Sequence, residues 1–203
     1  GNGYNVAVGD SAGGAMTTGL QNTLIGGLAG AALTDADFNV AIGYTALNTD
    51  TLGSRSTAIG YAALNSQSNS SAADANNTAV GYIAGAAITS GYENTFVGAE
   101  AGDGTDDGQG CVAVGFQALS ANCGNNNTAI GKKAGRQITG TNNTCVGFEA
   151  GETLVSATNC LILGTGCEPS GNNADVQLVL GVDATGTGNG NFTIGNGATD
   201  SNI

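Results

Sequence analysis

Asn127-Thr128-Ala129-Ile130-Gly131, with Ala134-Gly135 following it, recurs in variant form from one end of the chain to the other. Taking its glycine as the reference, the unit ends at Gly9, Gly26, Gly43, Gly60, Gly81, Gly98, Gly115, Gly131, Gly147, Gly164, Gly181 and Gly195. Successive spacings are 17, 17, 17, 21, 17, 17, 16, 16, 17, 17 and 14 residues. A period this short and persistent describes a solenoid, in which each coil buries its apolar surface against its neighbours. The twelve units cover nearly all 203 residues, so the repeat decides the fold.

The position before each reference glycine is Val8, Ile25, Ile42, Ile59, Val80, Val97, Val114, Ile130, Val146, Leu163, Leu180 and Ile194, branched and apolar throughout. Two residues earlier stand Val6, Thr23, Val40, Thr57, Thr78, Thr95, Val112, Thr128, Thr144, Leu161, Leu178 and Phe192. Period-two placement puts both columns on one side of a short strand, predicted to face the core. The residue between them, often alanine as at Ala41, Ala58 and Ala129, is expected on the opposite side. A second small column lies three residues after the glycine, from Ala12 and Ala29 to Ala184 and Ala198. An outward apolar column marks a contact surface, so these alanines predict rolls packed side by side with close backbones, three to a fibre. The unit opens on Asn5, Asn22, Asn39, Asn77, Asn94, Asn127, Asn143 and Asn191, replaced by Ser56, Cys111, Cys160 and Gln177. Stacked asparagines in parallel strands can hydrogen-bond along the stack and to turn backbone.

The expected architecture is all-β: a parallel β-solenoid of about twelve coils, roughly 55–60 Å long at one strand spacing per coil. One buried Val or Ile per coil supplies about 1.5–3 kcal/mol, against about 1–2 kcal/mol per ordered residue of backbone. A lone roll is therefore expected to need partners to fold. Regular repeats fill residues 1–158. More apolar coils, Leu161-Ile162-Leu163 and Leu178-Val179-Leu180, and the end of the array occupy 159–203. Coil four carries four additional residues within Asn65–Asn76, a polar loop that either tolerates length or carries binding.

Thirty-six glycines, one proline and no tryptophan leave few large side chains, yet the fixed register separates the chain from glycine-rich disorder. A net charge of −12 with four basic residues sets nucleic acid aside. No apolar run approaches the roughly 18 residues of a bilayer span, so membrane insertion is not expected. The chain begins without Met and reads as a processed or trimmed piece of something longer.

No histidine is present, and the five cysteines, Cys111, Cys123, Cys145, Cys160 and Cys167, form no CxxC pair. Neither a metal nor another cofactor is expected. The cysteines read as packed thiols or as a disulfide such as Cys160–Cys167 or Cys111–Cys123. No catalytic constellation emerges, and the adjacent Asp106 and Asp107 sit in turn-like sequence. The aromatic column directly after the glycine, Tyr44, Tyr61, Tyr82, Phe116 and Phe148, is the candidate ligand-binding surface, for sugar rings or for a neighbouring chain. Lys132, Lys133 and Arg136 in coil eight are read as meeting acids of an adjacent coil or chain, or an anionic sugar.

Asn39-Val40-Ala41-Ile42-Gly43, Asn77-Thr78-Ala79-Val80-Gly81 and Asn127-Thr128-Ala129-Ile130-Gly131 resemble the head repeats of trimeric autotransporter adhesins and the similar repeats of bacteriophage tail fibres. Asn22-Thr23-Leu24-Ile25-Gly26, Asn94-Thr95-Phe96-Val97-Gly98 and Asn143-Thr144-Cys145-Val146-Gly147 carry the same frame. The resemblance implies a left-handed parallel β-roll, three chains wound into a homotrimeric rod, and contact with a bacterial surface polysaccharide or outer-membrane receptor. The adhesin repeat is shorter than this one, and only the closing spacing of 14 approaches it. The ending Gly195 to Ile203 looks more like phage fibres bearing a self-cleaving C-terminal chaperone, which implies removal of such a segment near Ile203. The leading expectation is a non-enzymatic receptor-binding segment of a virion tail fibre. A bacterial adhesin or extracellular filament is the alternative. An ice-binding solenoid comes third, because the threonine column alternates with Val and Leu and is read as facing the core.

Overall fold

The computed structural model describes residues 3–69 and 74–195, together with the backbone of 201–202. Each repeat contributes one short strand to a single sheet. These are β1 Val6–Val8, β2 Thr23–Ile25, β3 Val40–Ile42, β4 Thr57–Ile59, β5 Thr78–Val80, β6 Thr95–Val97, β7 Val112–Val114, β8 Thr128–Ile130, β9 Thr144–Val146, β10 Leu161–Leu163, β11 Leu178–Gly181 and β12 Phe192–Gly195. They stack in sequence order and pair in parallel, and β13 Ser201–Asn202 closes the end antiparallel to β12. Equivalent residues lie side by side, Thr23 against Val40 and Ile25 against Ile42. The longer fourth repeat keeps this register, with Thr57 opposite Thr78. The chain is a parallel β-solenoid, and the ladder continues from β9 into β10 without a shift.

The inward face is the reverse of the one expected. In β2 to β12 the central residue is buried, while the residues on either side are half-buried or exposed. The column Ile25, Ile42, Val80, Val97, Ile130 and Val146 therefore points out of the roll, and the threonines two residues earlier point out with it. Ala41, Ala58 and Ala129, expected outside, are fully buried, as are Ala29, Ala46 and Ala84 of the second alanine column. Ala198 of that column lies outside the described residues. Period two states only that alternate residues share a side. The interior of so narrow a roll admits small side chains beside one or two large ones, and the branched columns are left outside.

The core is also fuller than one branched side chain per coil. Coil two alone buries Leu24, Ala29, Leu33 and Ala36, more than the single Val or Ile per coil from which a marginal lone roll is expected. Volumes are exchanged between positions. Where the strand centre is the small Ala41 or Ala58, Leu47 or Leu64 fills the interior. Where it is Phe96, glycine stands at the matching position, and a Cβ on Gly102 would lie 2.6 Å from Phe96 Cδ1.

Corners require left-handed backbone. Gly98, at φ +137°, is needed twice over, since a Cβ there would also lie 2.7 Å from the main chain of Gly115. Other corners use ordinary residues, including the β-branched Thr45, Ile83 and Val176 at φ 54°, 58° and 50°. These conformations cost energy in isolation. They persist because they aim each N–H along the axis at the preceding coil, as in Ile83 N–H to Tyr61 O at 2.9 Å.

Inside, the asparagines stack as anticipated. Asn77 Oδ1 accepts the Asn94 N–H at 3.0 Å and the Asn94 side-chain amide at 3.1 Å, and that amide also donates to Gly108 O at 2.8 Å. Ser56 interrupts the stack in coil four. There the longer repeat supplies a substitute: Gln67 donates to Ser56 Oγ at 3.1 Å and accepts from Asn77 Nδ2 at 2.9 Å. The buried Asp50 carboxylate accepts from Gln67 Nε2 at 2.5 Å and from the N–H groups of Gly53 and Asn69 at 3.0 and 3.1 Å. One turn of the polar loop is thus built into the wall. Residues 70–73 of the loop lie outside the described residues.

Two stability outcomes follow from these contacts. Replacing Phe96 by Ala empties the widest part of the core and is expected to cost about 3–5 kcal/mol, read from denaturant unfolding. Gln67→Ala removes one of the two acceptors of the Asn77 amide and one of the donors to the buried Asp50 carboxylate and is expected to cost about 1–3 kcal/mol. A loss below a few tenths of a kcal/mol would show that water replaces Gln67 there.

Candidate functional site

The outward sheet face and the aromatic column beside it form one continuous surface. Its centre is the pair of columns that each strand presents, with Val8 58 % and Ile130 42 % exposed. Among described residues the stripe runs from β1 to β12, and toward the C-terminal end it becomes bulkier with the exposed Leu161, Leu180 and Ile194.

All five aromatic candidates, Tyr44, Tyr61, Tyr82, Phe116 and Phe148, are exposed. Their main-chain carbonyls are fixed by the coil above. Tyr44 O accepts from Ala62 N–H at 2.9 Å and Tyr82 O from Glu100 N–H at 2.8 Å. This holds three side chains in a stack: Tyr44 and Tyr61 have ring centroids 5.9 Å apart, Tyr61 and Tyr82 5.3 Å, both with 18° between planes. The four additional residues of coil four enter after this corner, so the stack is unbroken. At its N-terminal end the stack rests on a residue without a side chain; a Cβ on Gly27 would lie 3.3 Å from Tyr44 Cδ2.

Stacking decides what the rings can offer. Both faces of Tyr61 are turned to its neighbours, so its edge and hydroxyl are what it presents outward. On the tyrosine stack a sugar ring can lie face-on only at the two ends, on Tyr44 beside Gly27 or on Tyr82 beside Ala99. Phe116 is separated from the stack by Ala99, which stands between it and Tyr82 in the column, and Phe148 is separated from Phe116 by Lys132, whose Nζ lies 5.6 Å from the Phe148 ring centre. Arg55 makes a similar contact with Phe38 at 5.7 Å and pairs with Asp74 at 2.7 Å.

The basic cluster of coil eight meets acids of coil nine. Lys133 Nζ lies 3.2 Å from Glu149 and 3.4 Å from Glu152, and its ammonium is held above its usual range first by the hydrogen bond to Glu149. Arg136 Nε is 2.9 Å from Glu152 Oε1, an ionic contact without an aligned hydrogen bond. Two of the three basic residues of the cluster are thereby paired with acids within the roll, and Lys132 lies over the Phe148 ring. Asp106 and Asp107 are exposed, and Asp106 accepts from Thr89. Among the described residues no group of three or more Cys, Asp or Glu side chains is placed to hold a metal ion. The five cysteines are buried thiols, and neither sequence-suggested disulfide is formed.

Sequence reading missed the stripe as an exposed surface. The signal was present, since a column apolar in all twelve repeats is unusual for either side of a thin roll, but it was assigned to the core. The fold and this surface define a β-solenoid with an uncovered apolar side. No family model, curated protein or solved structure matches the chain.

The stack gives a direct expectation. Tyr61→Ala removes two ring contacts, worth about 0.5–1.5 kcal/mol each, and lowers the thermal midpoint, whereas Tyr61→Phe retains it. Equal behaviour of the two variants would show that the rings do not support one another.

Proposed function

We propose that the chain is a segment of a homotrimeric fibre, three left-handed rolls side by side, serving as a receptor-binding part of a virion tail fibre that meets a bacterial surface polysaccharide or outer-membrane receptor. The observation that carries the proposal is the stripe outside the roll, one column branched and apolar in every repeat and the other divided between threonine and apolar residues. Two columns about 7 Å apart and about 53 Å long, with the aromatic column at their side, offer on the order of 600–800 Å² per chain, the size of a specific interface. Parallel chains around a threefold axis bring equal layers together, Ile against Ile and Leu against Leu, and cover the stripe along its length. The aromatic column then lies at the rim, reachable by glycans. The repeat resemblance favours a phage fibre, with a bacterial adhesin or extracellular filament as the alternative. No chemistry is assigned to the segment.

The experiment is the mass of the native particle. The wild-type protein is expected at three times its 19.6 kDa chain mass. Ile42→Asp with Ile59→Asp places two carboxylates on the stripe but none in the roll's core, so the particle should fall to one chain with its strand spectrum retained. A wild-type monomer would overturn the trimer, and a ladder of polymers would favour the filament. A trimer that binds neither sugars on a glycan array nor intact bacterial cells would confine the segment to a spacer role.

One observation supports a second reading. Thr23, Thr57, Thr78, Thr95, Thr128 and Thr144 face outward, which removes the orientation argument against an ice-binding face. Leu161, Leu178 and Phe192 in the same column weaken it. Inhibition of ice recrystallisation by a monomer would establish this reading.

A further inference from the structure

Coil seven departs from the repeat at two positions at once. Where most coils have the stacked asparagine it has Cys111, and seven residues after the glycine, where Leu33, Ile88, Ile138 and Leu154 are buried in other coils, it has the exposed Asn122 and buries the next residue, Cys123, instead. The two departures meet inside the roll, where Cys123 Sγ donates to Cys111 Sγ at 3.6 Å. Cys111 lies 3.2 Å from the Gly124 carbonyl, and Thr105 Oγ1 lies 3.2 Å from Cys123 Sγ, so neighbours fix both sulfurs. Cys160, at the asparagine position of coil ten, instead sends its thiol to Thr158 O at 3.4 Å.

We propose that Cys111 and Cys123 are an oxidisable dithiol, closed to a disulfide within coil seven by a small peroxide. The Cys111 thiolate attacks one peroxide oxygen, the O–O bond breaks, and hydroxide leaves to take up a proton, giving a sulfenic acid on Cys111. Cys123 sulfur then attacks Cys111 sulfur, the S–O bond breaks, and the departing hydroxide takes the Cys123 proton. Two thiols are oxidised and one peroxide becomes two waters. The sulfurs need close only from 3.6 Å to about 2.05 Å. Both side chains are buried, so a peroxide reaches them only through a transient opening of the coil wall. The direction of attack has support in the pair itself: the hydrogen bond from Cys123 pulls the Cys111 thiol down, and giving that bond pushes the Cys123 thiol up. Cys145, by comparison, is pushed up to about 12 by burial and is inert at neutral pH.

The bridge falls where the asparagine stack is interrupted. Asn94 Oδ1 still accepts the Cys111 N–H at 2.8 Å, but the thiol passes no amide to coil eight, and Asn127 turns its own amide to Gly124 and Gly140 at 2.8 Å. A covalent tie at this point stiffens the coil that lacks its amide.

The test exposes the full chain to hydrogen peroxide, then denatures it and counts thiols. The expected result is loss of two of the five thiols, a peptide map joining Cys111 to Cys123, and a raised thermal midpoint that dithiothreitol reverses. In Cys123→Ser, dimedone should trap a sulfenic acid on Cys111. Retention of all five thiols, a bridge between any other pair, or over-oxidation of Cys111 beside an intact Cys123 thiol would overturn the proposal. An untrapped Cys111 in a folded Cys123→Ser variant would overturn its role as the attacking sulfur.

Discussion

The structure depends on main-chain hydrogen bonds that run along the axis from each coil to the next. Gly26 N–H reaches Val8 O at 2.8 Å and Gly43 N–H reaches Ile25 O at 2.8 Å, and the corners repeat the arrangement. Each residue is thereby stacked on the residue one repeat away, and its surroundings are set by its column. This explains how β-branched residues come to occupy left-handed corners: the stacked bond requires the conformation whatever side chain is present. It also explains why four additional residues in coil four disturb so little. The chain re-enters register at Asp74, which pairs with Ser54, and Gln67 supplies the polar contacts that Ser56 cannot.

Column stacking makes the interior a matter of volume. A coil has room for one or two large side chains among small ones, arriving from the strand centre at Leu24 and Phe96 or from the corners at Leu33, Leu47, Leu64 and Leu119. Glycine at Gly30 and Gly102 is the counterpart of the first arrangement. The branched columns do not fit inside as well, and they form the exposed stripe on which the trimeric reading rests. Aromatic residues follow the same rule at the surface. Three tyrosines in one column become a stack of rings, so the surface offered to a ligand is a row of edges with an outer face at each end.

Much of this was legible in the sequence. The repeat, its register, the short strands, the stacked asparagines and the aromatic column all follow from residues recurring at a fixed interval, because a solenoid converts sequence period directly into spatial neighbourhood. The pairing of Lys133 and Arg136 with acids of the next coil follows from the same rule.

What the tertiary structure alone decided was which side of each strand lies within. Ile42 and Ala41 alternate, and alternation carries no sign; only closure of the coil around a space too narrow for both columns places alanine inside and isoleucine out. The left-handed corners at Thr45 and Ile83 were equally hidden, since their conformation comes from bonds to another coil and not from their own preferences. The contact between Cys111 and Cys123 was one of two pairings the sequence left open, and the path of the chain within coil seven brought these two sulfurs together. Sequence determined which residues are neighbours along the axis, and the shape of the closed coil determined which of them face inward.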